Sequence, residues 1–196
     1  MPQPHEQVPA TDVALIALGG NEPSPTGAPL DTLRAALGEI AMAIGPITGK
    51  SRMFGTPCFP AGAGPDYVNA AVAVATRLPA AEILRRLHEI EQNHGRARLQ
   101  RWGMRTLDLD LLALGGAVLP DRATYEDWRA LPPDLQQMRA PDALVLPHPR
   151  LQDRAFVLVP LADVAADWVH PVLGQSVAAM LAALPAADRD AVVPLD

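Results

Sequence analysis

"RTLDLDLL", residues 105–112, is an apolar run with aspartates at alternate places and an arginine at its head. A period of two is the mark of a strand: Leu107, Leu109 and Leu111 turn to one side, Asp108 and Asp110 to the other, roughly 7 Å apart along the chain. One face of this strand is predicted to seal a core while the other presents paired carboxylates. The rest of the chain sorts itself around that prediction.

Upstream, "VALIALGG" (13–20) is continuously apolar, as expected of a central strand covered on both faces. "DTLRAALGEIAMAIGP" sets Leu33, Leu37, Ile40 and Ile44 on one helical stripe, with Asp31 as N-cap and Gly45-Pro46 as stop. "TGKSRMFGT" reads as a second strand and the valine-rich "YVNAAVAVAT" (67–76) as a third. "PAAEILRRLHEIEQNHG" is a helix with Pro79 in its first turn, a stripe of Ile83, Leu84, Leu87 and Ile90, and Gly95 at its end. The order β-α-β-β-α-β is the ferredoxin-like α+β pattern, an antiparallel sheet with helices on one face.

The other face needs cover from later segments, and "RAFVLVPLADVAADW" and "SVAAMLAAL" supply candidate C-terminal helices. Residues 121–143 carry scattered charges and three prolines, which predicts an inserted loop or short helix; residues 1–11 read as a flexible extension. The 196 residues suit a single domain.

With 49% hydrophobic and 19% charged residues the composition is globular, and one cysteine, Cys58, excludes an internal disulfide framework and suggests a cytoplasmic setting. Neither a leader nor a span of ~20 apolar residues is read. A net charge of −6 argues against a nucleic-acid or membrane surface, yet Arg96, Arg98, Arg101 and Arg105 gather four of the 16 basic residues in one loop.

Two carboxylates on one face repel unless cations compensate them, and hard oxygen donors beside arginines suit Mg²⁺ carrying substrate phosphates. Alone, the acidic pair is an exposed polar sheet face and the arginines a solvated loop; together they favour phosphoryl-type transfer. "GPITGKS" (45–51) imitates a phosphate-binding loop but has three residues between its glycines instead of four, and lies between a helix and a strand. Tyr67 and Asn69 share a strand face, an aromatic surface beside an amide suited to a planar heterocycle or simply packed locally. His88 and Glu91 border the second helix's buried stripe without a matching zinc set. "LPHPRLQDRAF" holds His148 between prolines, with Arg154 and Phe156 after it.

Five pieces in order, "ALGGN", "TPCF…DYVNAAV", "LHEIE", "GR-R…RWGMRTLDLDLL" and "PHPRLQDRAFVLVPL", resemble the 6-hydroxymethyl-7,8-dihydropterin pyrophosphokinases of folate synthesis, over about residues 13–171. The resemblance implies a ferredoxin-like fold and transfer of pyrophosphate from ATP to the pterin hydroxymethyl oxygen, with AMP released and two Mg²⁺ required. It implies that Asp108 and Asp110 hold metal, that Arg96 and Arg105 stabilise the triphosphate, and that Arg98, Arg101 and Trp102 belong to a closing loop, Arg98 and Trp102 on the ATP. It further implies that Leu84, His88, Glu91, Leu111, His148 and Arg154 face ATP, while Thr56, Pro57, Cys58, Tyr67, Asn69 and Phe156 form the pterin pocket. Met104, Gly20 and Cys58 depart from the family's usual proline, serine and proline. Two other readings stay open: a Mg²⁺-dependent nucleotidyltransferase, which would release pyrophosphate, and a binding module without turnover.

Overall fold

The structure, a computed structural model, describes residues 11–58, 64–95, 105–132, 135 and 139–195. The N-terminal extension therefore lies, but for its last residue, outside the described residues. Strands β1 (Asp12–Gly20), β2 (Ile47–Lys50), β3 (Phe54–Thr56), β4 (Tyr67–Thr76) and β5 (Asp108–Leu114) alternate with helices α1 (Pro29–Ala43) and α2 (Ala80–Asn93). Helix α3 (Arg122–Ala130), a 3₁₀ turn (Leu151–Asp153), α4 (Ala155–Ala165), α5 (Val177–Ala183), α6 (Ala186–Asp190) and a short β6 (Val193–Pro194) complete the chain. The sheet runs β5-β1-β4-β3-β6 with β2 also on β4, and every pairing is antiparallel.

The alternation along β1 divides two cores. Ala14, Ile16 and Leu18 face α1 and α2 and join Leu33, Ile40, Ile83, Leu87, Leu109 and Leu111. Leu15, with Ala71 and Ala73 of β4, faces Val157, Leu158, Leu161, Val177 and Met180 of α4 and α5. The expected C-terminal cover is thus supplied, and each buried leucine contributes about 2 kcal/mol by leaving water. No helix among the described residues is long and apolar enough to cross a membrane.

Three expectations are corrected. Helix α1 is capped by Ala28 and starts at Pro29, whose fixed φ opens the helix earlier, so Asp31 lies in its first turn. Pro79 is the N-cap of α2, outside its first turn. The second strand is two, because Ser51 interrupts it: its N–H still donates to Ala71 O (3.0 Å), but Ala71 N–H goes to Ser51 Oγ (2.9 Å), which itself donates to Arg52 O (2.6 Å). The segment 45–51 forms no phosphate loop. Gly45, at φ +150°, ends α1 where a Cβ would lie 2.2 Å from Ala75 O.

Residues 121–143 hold α3, capped by Asp121 through Thr124 N–H. Its Tyr125 is fully buried and hydrogen-bonded to His170 at 2.9 Å, which docks the added helix onto the C-terminal segment.

Candidate active site

Three strands make the floor. Across the sheet Asp108 stands opposite Gly19, Gly19 opposite Asn69, and Asn69 opposite Phe54; the next row is Asp110, Ala17, Ala71. Residues opposed in antiparallel strands project to the same face, so the acidic pair and Asn69 look out together, about 10 Å apart across two strand spacings. Between them β1 offers only Ala17 and Gly19. A Cβ on Gly19 would sit 3.0 Å from Asn69 Oδ1, so the bare position keeps the floor open. This polar end begins where the apolar cover of α4 stops: the same face carries Leu15, Ala73 and Ala113 under the helices.

Arginines balance the acids. Arg105 donates through Nη1 to Asp108 Oδ2, both side chains about one-quarter exposed at 26% and 23%. Arg154, the N-cap of α4, has its guanidinium pKa lowered mainly by burial, with Asp110 the leading opposing charge, ahead of Asp108. His148 is pinned by its backbone N–H to Leu112 O of β5 (2.8 Å), two residues past Asp110. Its Nδ1 accepts Arg150 N–H at 3.1 Å, which assigns the ring proton to Nε2. Burial, then Arg154, pushes this imidazole down to about 3, so it is a neutral donor near neutral pH.

The opposite side of the floor is amide and aromatic. Asn69 Nδ2 donates to Thr56 Oγ1 (2.9 Å), and Thr56 pairs with Tyr67 in register. Cys58 N–H donates to Asp66 Oδ1 (3.2 Å), while Pro57 is exposed. Burial raises the Tyr67 phenol, helped by Cys58 and opposed by Arg105, so this hydroxyl feels both halves of the cleft. Phe156 is 40% exposed, with Arg154 Cζ 5.7 Å from its ring centre.

Leu84, His88, Glu91 and Leu111, expected to face ATP, belong to α2 and β5. Leu111 is 3% exposed within the core under α2, so its side chain offers no open surface. Glu91 is 1% exposed, and its Oε1 accepts Leu109 N–H at 2.8 Å, bracing β5 from beneath. Leu84 and His88 are half-buried on α2. Arg96, Arg98, Arg101, Trp102 and Met104 fall outside the described residues. Two residues given no role from sequence border the site: Arg150, whose charge acts on Arg154 and whose Nε lies 3.0 Å from Asp153 Oδ2, and Asn21, bonded to Arg105.

The donor chemistry fits a divalent cation. Asp108 and Asp110 are half-buried hard-oxygen donors on one stiff strand, flanked by arginines, and no cluster of three or more His, Cys, Asp or Glu suited to a metal occurs among the described residues. Two carboxylates are what Mg²⁺ takes from protein when water and phosphate fill the other positions.

Fold and cleft together define a ferredoxin-like α+β domain with an acid-and-arginine wall facing an amide-and-aromatic one. Residues 15–166 match the family model described as 7,8-dihydro-6-hydroxymethylpterin-pyrophosphokinase (HPPK). The chain is similar to the 2-amino-4-hydroxy-6-hydroxymethyldihydropteridine pyrophosphokinase of Synechocystis sp., 40% identical over 84% of this chain and 72% of that one. The Haemophilus influenzae protein of the same name is 35% identical over 81% and 84%. In three dimensions the fold resembles wild-type Plasmodium falciparum HPPK-DHPS, with a TM-score of 0.62 and 15% identity over 90% of this chain; the match spans 45% of that longer chain. The chain belongs to the HPPK family: it is a hydroxymethyldihydropterin pyrophosphokinase.

Proposed function

We propose that the chain performs its pyrophosphate transfer, a step of folate biosynthesis, with ATP as donor and Mg²⁺ as cofactor. The observation that carries this reading is the row Asp108–Gly19–Asn69, which sets a carboxylate and an amide on one open floor, as a phosphate-and-metal side facing a heterocycle side would require. The hydroxymethyl oxygen of 6-hydroxymethyl-7,8-dihydropterin attacks the β-phosphorus of ATP. A new O–P bond forms, the bond from the β-phosphorus to the bridging oxygen of AMP breaks, and the hydroxyl proton leaves to solvent.

Asp108 and Asp110 would hold Mg²⁺, which supplies charge neutralisation on the phosphate oxygens when bound. Arg105 and Arg154 oppose the negative charge of the triphosphate from two directions, and His148 offers its Nε2–H to a phosphate oxygen. Asn69, Thr56 and Tyr67 present the donors and acceptors that read a pterin edge, with the exposed Phe156 ring available to stack. Arg96, Arg98 and Trp102 would add to the ATP side. No covalent nucleophile is needed, because holding oxygen and phosphorus in line in a charge-matched cleft supplies most of the acceleration.

The test is incubation with ATP, Mg²⁺ and the hydroxymethyl dihydropterin, with the nucleotide product identified. AMP and pterin diphosphate support the reading. Pyrophosphate release would instead mark a nucleotidyltransferase, and binding without turnover a non-catalytic module.

A further inference from the structure

We propose that Asn21 is a positioning residue that sets the phosphate wall and the pterin wall at a fixed separation; the proposal rests on the assignment of those walls above. Asn21 follows β1 and is only 2% exposed. Its Nδ2 donates to Pro65 O (3.1 Å), while its Oδ1 accepts Arg105 N–H (2.9 Å). Its own N–H donates to Arg105 O (2.9 Å), joined there by Glu22 N–H (3.1 Å). One side chain therefore ties the end of β1 to the segment entering β5 and to the loop before β4.

Only a short primary amide does this, since it directs a donor and an acceptor in opposite senses from one rigid plane. Aspartate lacks the donor, and glutamine is one methylene longer. The platform beneath it is tight: a Cβ on Gly20 would lie 2.6 Å from Thr106 O, so the two backbones are already in contact. Arg105 carries the guanidinium that pairs with Asp108. Pro65 precedes Asp66, which holds Cys58 N–H, and Tyr67, which opens β4. Displacing the amide shifts one wall relative to the other.

Asn21→Asp keeps the acceptor for Arg105 and sets a carboxylate against the Pro65 carbonyl. It is expected to raise the pterin Kd about tenfold, with the Kd of a non-hydrolysable Mg-ATP analogue and kcat within about threefold of wild type. Asn21→Ala loses both bonds, so kcat also falls about tenfold and the Arg105 amide exchanges hydrogen about tenfold faster. Unchanged pterin affinity in Asn21→Asp overturns the proposal, as does a parallel loss of pterin and nucleotide affinity tracking thermal stability. Should Asn21→Ala fail to fold, Asn21→Asp alone decides. Wild-type protein that binds both ligands yet releases no AMP refutes the reaction proposed above and leaves the binding comparison valid.

Discussion

His170 gives the fold a calculable acid weakness. The ring is fully buried, its Nδ1 accepts Val172 N–H (3.2 Å) and Leu173 N–H (3.3 Å), and so Nε2 bears the proton and donates to Tyr125 Oη (2.9 Å). Trp168 stands edge-on at 5.6 Å. Burial, then the Arg129 charge, pushes the imidazole from 6.5 down to about 4. Between those values the unfolded chain binds a proton that the native chain refuses, so stability rises with pH through the window and is lost as pH falls from about 6.5 to 4. The loss amounts to about 3 kcal/mol, at 1.36 kcal/mol per tenfold change in proton affinity, and saturates below about pH 4. His170→Gln forfeits the ring contacts and costs about 2 kcal/mol at neutral pH, but carries no such proton. Urea unfolding of both proteins at about pH 7, 5.5 and 4 isolates the effect, because the carboxylates they share cancel. The gap between them should shrink by about 3 kcal/mol or reverse on acidification; a gap independent of pH refutes the argument.

Replacing Asp108 by Ala should reduce magnesium-supported turnover at least about a hundredfold. Circular dichroism and Tm should hold, because the partly exposed pair with Arg105 is worth at most about 1 kcal/mol; retained turnover counts against the metal assignment. Gly19→Ala places a methyl 3.0 Å from Asn69 Oδ1, and titration should show pterin affinity down about tenfold with nucleotide affinity unchanged. Because His148 is held near pKa 3, the kcat/KM profiles of wild type and His148→Gln should share one shape from about pH 5 to 8, with the variant lower throughout. An inflection near pH 6.5 present only in wild type contradicts that.

The alternation in "TLDLDLL" was sufficient to divide β5 between core and cleft, and it also placed Leu111 inward, where the structure has it, although the family resemblance set that residue against ATP. Glu91 follows the same logic, one helical turn after Leu87 on the buried face of α2. What stayed hidden depended on partners distant in the chain. Ser51 breaks a strand only because Ala71 N–H lies within its reach, and scattered charges in 121–143 gave no sign that Tyr125 would meet His170. Asn21 was visible within "ALGGN", yet its role needs Pro65 and Arg105, 44 and 84 residues away. Gly19, a plain strand residue in the sequence, becomes the floor of the cleft once Asp108 and Asn69 flank it.

The arginines described beside Asp108 and Asp110, Arg105 and Arg154, are held differently, and that difference bears on how the proposed phosphate wall would work. Burial lowers the Arg154 guanidinium pKa, a cost to the charged form that Asp110 and Asp108 offset before any ligand arrives. Its half-buried guanidinium, already facing carboxylates, would need little reorganisation to meet a phosphate oxygen. Arg105 is one-quarter exposed and paired with Asp108, and its backbone, held by Asn21, is the better-anchored part of the residue. An exchange of partners, from carboxylate to phosphate, is therefore cheaper for Arg105 than for Arg154. It follows that Asp110→Asn and Asp108→Asn differ beyond the proposed metal site they share: the first leaves Arg154 less compensated, whereas the second chiefly releases the Arg105 guanidinium.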